Sequence, residues 1–124
     1  MIVLPPELPV KLTQDDIAKG IRQSCGSCPV ALAATRAVYE CIDAGGDPIA
    51  LVNEAKTISV LVHISTMDVL DHENVIATYI LPEAARLFIT KYDARVDQIA
   101  PLDGRYAVRP FDFVAIRDQD RAAA

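Results

Sequence analysis

Apolar residues recur along the chain at two different spacings, which divide it into helices and strands. From Pro29 to about Asp43, Val30, Ala33, Ala34, Ala37, Val38 and Cys41 fall at helical spacing, and Gly45-Gly46 ends the run. The alanines on that stripe allow close approach to a sheet. Another helix begins at Leu81-Pro82-Glu83, with proline at its first position and Ala85, Phe88, Ile89 and Tyr92 as the buried stripe. Leu81 is placed to staple onto that stripe. A shorter helix opens at Thr13, whose hydroxyl can cap the amide of Asp16, with Asp15 and Asp16 at the positive end of the dipole. Ile17 and Ile21 are its expected anchors, and Gly20 its left-handed cap.

Strict alternation marks the strands. In Thr57 to Ile64, residues Ile58, Val60, Val62 and Ile64 face one way and Thr57, Ser59, Leu61 and His63 the other. Val75 to Leu81 is rich in β-branched residues and is expected to pair with that strand, while Asp68 to Asn74 reads as a polar loop with two apolar pins. Ile49 to Val52 reads as a shorter strand, and Val10-Lys11-Leu12 as an edge strand after an extended, proline-rich arm over residues 1–9. Val108 to Ile116 forms the last strand, with Phe111, Phe113 and Ala115 on one face, and Pro110 puts its start at an edge or bulge. Residues 117–124 read as a flexible tail. The sum is an α+β domain of order β-α-α-β-β-α-β: a small, mainly antiparallel sheet of about four strands with three helices packed on one face.

Length and composition narrow this further. At 124 residues the chain makes a single domain, and its 52% hydrophobic content excludes a disordered one. Twelve basic against 17 acidic residues give a formal charge of −5, which argues against direct nucleic-acid binding. No apolar run approaches the length of a membrane span, and the first ten residues, with three prolines and no basic segment, do not read as a signal peptide. Three cysteines, an odd number, fit reduced thiols in a cytoplasm.

Several groups carry residue types with chemistry. Cys25-Gly26-Ser27-Cys28, before a helix start, has the spacing of a redox pair, because the dipole stabilises a thiolate there. Redox sites of that kind, however, follow a buried parallel strand, whereas this one follows a short helix. A zinc site needs four ligands, for which only Cys41, His63 and His72 could join the pair. The structural alternative makes Cys28 a helix cap and Cys41 a small buried hydrophobe. His63, Ser65, Asp68 and Asp71 include the types of a nucleophile, base and orienter, but no Gly-x-Ser-x-Gly elbow accompanies them. Arg86, Lys91, Arg95, Arg105 and Arg109 gather in the last third of the chain, and the helix starts near Cys28 and Pro82 can offer amides to an anion. No metal or cofactor is called for.

Segments spread along the chain add a resemblance. They are Leu12 to Gly20 (LTQDDIAKG), Ser27 to Ala33 (SCPVALA), Leu81 to Ile89 (LPEAARLFI) and Val108 to Phe113 (VRPFDF). In that order they resemble a family of small uncharacterised phage, prophage and actinobacterial proteins with the pattern T-x-x-D-I-x-x-G, C-P-[VI]-A-L-A, L-P-x-x-A-x-x-F-I and V-x-P-F-x-F. The match contains Cys28 but gives Cys25 and Cys41 no part. The resemblance implies an accessory protein in the cytoplasm of a bacterial host, of a kind that occupies a protein or sequesters a small molecule.

The leading expectation is therefore a non-enzymatic protein that binds and occludes a host or phage protein, as a counter-defence inhibitor does, with Asp68, Asp71 and Glu73 among the acids presented to it. The alternative is a sponge for an anionic small molecule such as a nucleotide signal, held by Cys28, Arg86, Arg105 and Arg109. Thiol-redox or zinc chemistry at Cys25 and Cys28 is the third reading. A homodimer through an edge strand near Val10 or Val108 is compatible with all three.

Overall fold

The computed structural model describes residues 4–21, 24–45, 58–94 and 109–118. The elements run β1 (Glu7–Leu12), α1 (Gln14–Lys19), α2 (Pro29–Gly45), β2 (Ile58–Val62), β3 (Thr66–Asp71), β4 (Asn74–Ile80), α3 (Glu83–Asp93) and β5 (Phe111–Arg117). The five strands form one antiparallel sheet in the order β1-β5-β4-β3-β2. The α+β class is as expected; the sheet has one strand more than the sequence suggested.

That strand is β3. The segment expected as a loop inserts between β2 and β4, so those two do not pair with each other. Met67 and Val69 supply its buried face, while Asp68, which suggested a loop, lies on the other. A two-residue reversal at His72 and Glu73, both at positive φ (50° and 71°), returns the chain into β4. Ile64, counted with the inward residues, is instead 89% exposed, because the chain turns at His63–Thr66 before reaching it.

Cross-strand partners share a face. Leu8, Val10, Leu12, Phe113, Ala115, Ala77, Tyr79, Met67, Val69, Ile58, Val60 and Val62 all lie on the inner one and are buried. Helix α2 packs against both β1 and β2, which stand at opposite ends of the strand order, so the sheet wraps around it. The small side chains of Ala31, Ala33, Ala34 and Ala37 permit that closeness. Helix α3 adds Ala85, Phe88 and Tyr92 to the same core, and the Tyr92, Phe88, Phe111 and Phe113 rings follow one another at centroid spacings of 5.8, 5.4 and 5.6 Å.

The caps explain where the helices start. Thr13 Oγ1 accepts from the Asp16 amide at 3.2 Å, and the Asp16 carboxylate accepts from the Thr13 amide at 2.8 Å, a complete capping box. Asp16 is only 4% exposed, and Arg36 of α2 grips both its oxygens at 2.9 and 2.7 Å while also donating to the Lys11 carbonyl. Burial pushes the Asp16 carboxyl up, but the hydrogen bonds from Arg36 and Thr13 outweigh it and hold it below the usual range. This one bidentate pair ties β1, α1 and α2 together.

Four further expectations need correction. Gly20 is extended (φ −65°, ψ 151°), not left-handed; a Cβ there would lie 2.5 Å from Pro29 Cδ, so close approach accounts for the glycine. Ile21 is 58% exposed and anchors nothing, and Tyr92 secures the end of α1 instead, its hydroxyl donating toward the Ile17 and Gly20 carbonyls. Pro82 caps α3 rather than entering it, so Glu83 is the first helical residue. The outer strands also reach further than expected: residues 7–9 belong to β1 and Arg117 to β5, Tyr79 Oη donates to the Pro5 carbonyl at 2.6 Å, and the Arg117 and Asp118 amides donate to the Pro6 and Thr78 carbonyls. The strand expected at Ile49–Val52 lies outside the described residues, as do residues 119–124. Among the described residues, no helix is long and apolar enough to cross a membrane.

Candidate functional site

The turn at Ser24–Cys28 is fastened by backbone bonds, from the Cys28 amide to the Ser24 carbonyl and from the Val62 amide of β2 to the Cys25 carbonyl. It forms one wall of a groove of about 610 Å³ lined, among the described residues, by Ser24, Cys25, Cys28, His63, Ser65 and Asp93, with Val62, Ile64 and Ile89 as the apolar part. Much of the chain's reactive inventory therefore meets in one place, and its geometry decides what it can do.

Cys28 is the helix cap that the sequence suggested: its Sγ accepts from the Ala31 amide at 3.4 Å and is buried. Burial pushes its thiol up, against the pull of the Ala31 and Val30 amides. A protonated, capped sulfur is a poor nucleophile. Cys25 is exposed; Cys41 is half-buried on α2, and burial raises its thiol as well. Among the described residues, no group of three or more histidine, cysteine and acidic side chains is arranged to hold a metal ion.

His63 does meet an acid. Its Nε2 lies 3.1 Å from Asp68 Oδ2, and Thr78 Oγ1 donates to Asp68 Oδ1 at 2.8 Å. The order of this chain matters: the hydroxyl is held by the carboxylate, not by the imidazole, so the hydroxyl–imidazole contact of a nucleophile–base pair is not made. Ser65, the other candidate nucleophile, is exposed on the turn. The constellation is an orienting chain that ties the β2–β3 turn to β4. The Thr78 link was invisible in sequence because the acid and hydroxyl are cross-strand partners.

The remaining candidates do not assemble as one site. Helix α3 separates Cys28, on the groove beside Ile89 and Asp93, from Arg109, which lines a different groove with Lys91 and Phe111. Arg86 is exposed on α3 and lines neither, and Arg105 lies outside the described residues. Of the acids, Asp68 is committed to His63 and Thr78, whereas Asp71 precedes the β3–β4 turn, with its Oδ1 3.8 Å from His72 Nε2, and Glu73 lies in it.

One surface feature was not anticipated. On the outer face of the sheet Ile80 and Ile116 are direct cross-strand partners, 45% and 46% exposed, with Val114 (43%) two residues along β5 and Pro9 opposite it on β1. Scattered apolar side chains on a surface are ordinary; a strip continuous across three strands is less so. The sequence signal was the apolar filling of every position in Val114-Ala115-Ile116, where a half-buried strand would place polar residues outward. Glu7 and the Lys11–Asp112 pair border the strip. The neighbouring edge is blunted: Arg117 N donates to the Pro6 carbonyl, so by alternation Leu8, Val10 and Leu12 bond to β5 while Pro9 turns its missing donor outward.

Set beside known proteins, the chain matches no family model, no curated protein and no solved structure. What it does must be read from its own geometry.

Proposed function

We propose that this protein is a non-enzymatic binding module that occludes another protein, using the outer face of its sheet. The observation carrying this is the strip Pro9–Val114–Ile116–Ile80, an exposed apolar centre on a rigid antiparallel sheet. Apolar anchors ringed by polar groups are the usual layout of a protein interface. The acidic balance of the chain, with Glu7 beside the strip and Asp112 offset by its cross-strand partner Lys11, favours a partner that is basic around an apolar patch. The orienting order of Thr78, Asp68 and His63 and the buried, protonated Cys28 support binding over catalysis. Pro9 favours contact through the face over strand addition at the β1 edge. In the context that the sequence motifs resemble, such occlusion serves a phage accessory or counter-defence role.

The test is quantitative co-purification from a bacterial host with Ile80→Asp/Ile116→Asp beside the unaltered chain. Both side chains are exposed, so the double variant should fold. The expected result is a stoichiometric partner lost by the double variant and kept by Arg86→Glu. A partner retained undiminished by the double variant would refute the proposal.

A further inference from the structure

The groove of about 610 Å³ beside the β2–β3 turn lacks the contacts of a catalytic site, and the outer-face reading makes no use of it. Three elements build it: the Ser24–Cys28 turn, the end of β2 with the turn that follows, and α3 through Ile89. Val62 is buried and Ile89 half-buried, whereas Ile64 stands 89% exposed. One uncovered isoleucine is ordinary on a surface; its place at the mouth of a hollow with further apolar lining is what gives it meaning. Apolar walls with a few convergent polar groups are the pattern of small-ligand sites, and this volume falls within their range.

Its polar groups decide the chemistry of the occupant. Asp93, the one carboxylate in the described lining, is already engaged, and no lysine or arginine accompanies it, so the groove offers an open charge of neither sign. Asp68, behind His63, further disfavours an anion. The same carboxylate sets the imidazole: it only accepts, so His63 Nε2 carries the proton and, in the neutral ring, Nδ1 is left an acceptor. Ser24 and Ser65 add hydroxyls that donate and accept. The described lining holds no phenylalanine, tyrosine or tryptophan on which a flat ring could stack, which favours an aliphatic body. We propose that the groove binds a small neutral molecule with a branched aliphatic body and an N–H donor. The body lies against Val62, Ile64 and Ile89, and the donor bonds His63 Nδ1.

The experiment is a titration of the full chain at about pH 8 with N-acetyl-leucinamide, N-acetyl-leucine and N-acetylglycinamide, following the amide resonances of residues 24–28, 62–66 and 86–93. The leucine amide is expected to shift these resonances saturably and to slow maleimide labelling of Cys25, which lines the same groove. N-acetyl-leucine, which adds a charge, and N-acetylglycinamide, which lacks the body, should each bind at least about tenfold more weakly. Ile64→Asp is expected to weaken the leucine amide by about tenfold without lowering Tm, since the side chain is exposed. His63→Phe keeps a ring but removes the acceptor, and should weaken it by about fivefold. The proposal is overturned if the leucine amide leaves these resonances unmoved, if either of the other two compounds binds as well, or if either variant binds it undiminished.

Discussion

Arg36→Ala tests how the scaffold beneath the outer face is held. The substitution removes two charge-assisted bonds to the buried Asp16 carboxylate and one to the Lys11 carbonyl. Hydrogen bonds to charged groups contribute about 1.5–3 kcal/mol each. The Arg36 side chain is 42% exposed, so solvent screens the pair, and Asp16 keeps its two bonds from Thr13. The net loss should therefore be about 2 kcal/mol. With an unfolding entropy of about 2.1 cal/mol/K per residue, 124 residues give about 0.26 kcal/mol per degree, so Tm should fall by roughly 8 °C. The pH dependence has a definite sign. Asp16 is lowered in the folded protein, so its contribution is complete above the unfolded value near 3.8 and fades as pH falls toward the folded one. Urea unfolding of both proteins between pH 7 and pH 3 measures this, and the gap between them should narrow below about pH 4. A loss under about 0.5 kcal/mol at pH 7, or a gap constant down to pH 3, would refute the reasoning.

Three other outcomes follow from the packing. Gly20→Ala sets a Cβ against the Pro29 ring and should cost about 1–3 kcal/mol in chemical denaturation; a neutral result would mean that the α1–α2 connection yields freely. Burial pushes the Tyr79 phenol up to about 12, so ultraviolet titration should show a tyrosine that stays protonated well past pH 10, with its stabilisation complete below the unfolded value and lost as pH rises through about 12. Maleimide should label Cys25 rapidly in the folded protein and spare Cys28 until unfolding; equal rates would revive thiol exchange at the pair.

What the sequence disclosed was local in origin. Thr13, Cys28-Pro29 and Leu81-Pro82 mark helix starts because caps act over three or four residues, and the stripes of α2 and α3 were visible for the same reason. Strand β3 escaped because the outer face of a sheet admits polar residues: Asp68 looked like loop chemistry until its cross-strand partners were known. The alternation of Met67 and Val69 was the available signal. The Asp16–Arg36 pair spans twenty positions, and no local pattern predicts it. Gly20 was read as a conformational residue when its constraint is the Pro29 ring, a tertiary contact. The outer strip depended on which strands became neighbours, and the insertion of β5 between β1 and β4 brought Pro9, Val114, Ile116 and Ile80 together.

Photo-crosslinking in living cells addresses the binding face most directly. A benzophenone side chain is placed in turn at Ile116, at Val114 and, as a control away from the strip, at Arg86. The outer-face account predicts one discrete covalent adduct from Ile116 and Val114 and none from Arg86. Adducts of equal yield at all three positions, or none at Ile116 and Val114, would contradict it.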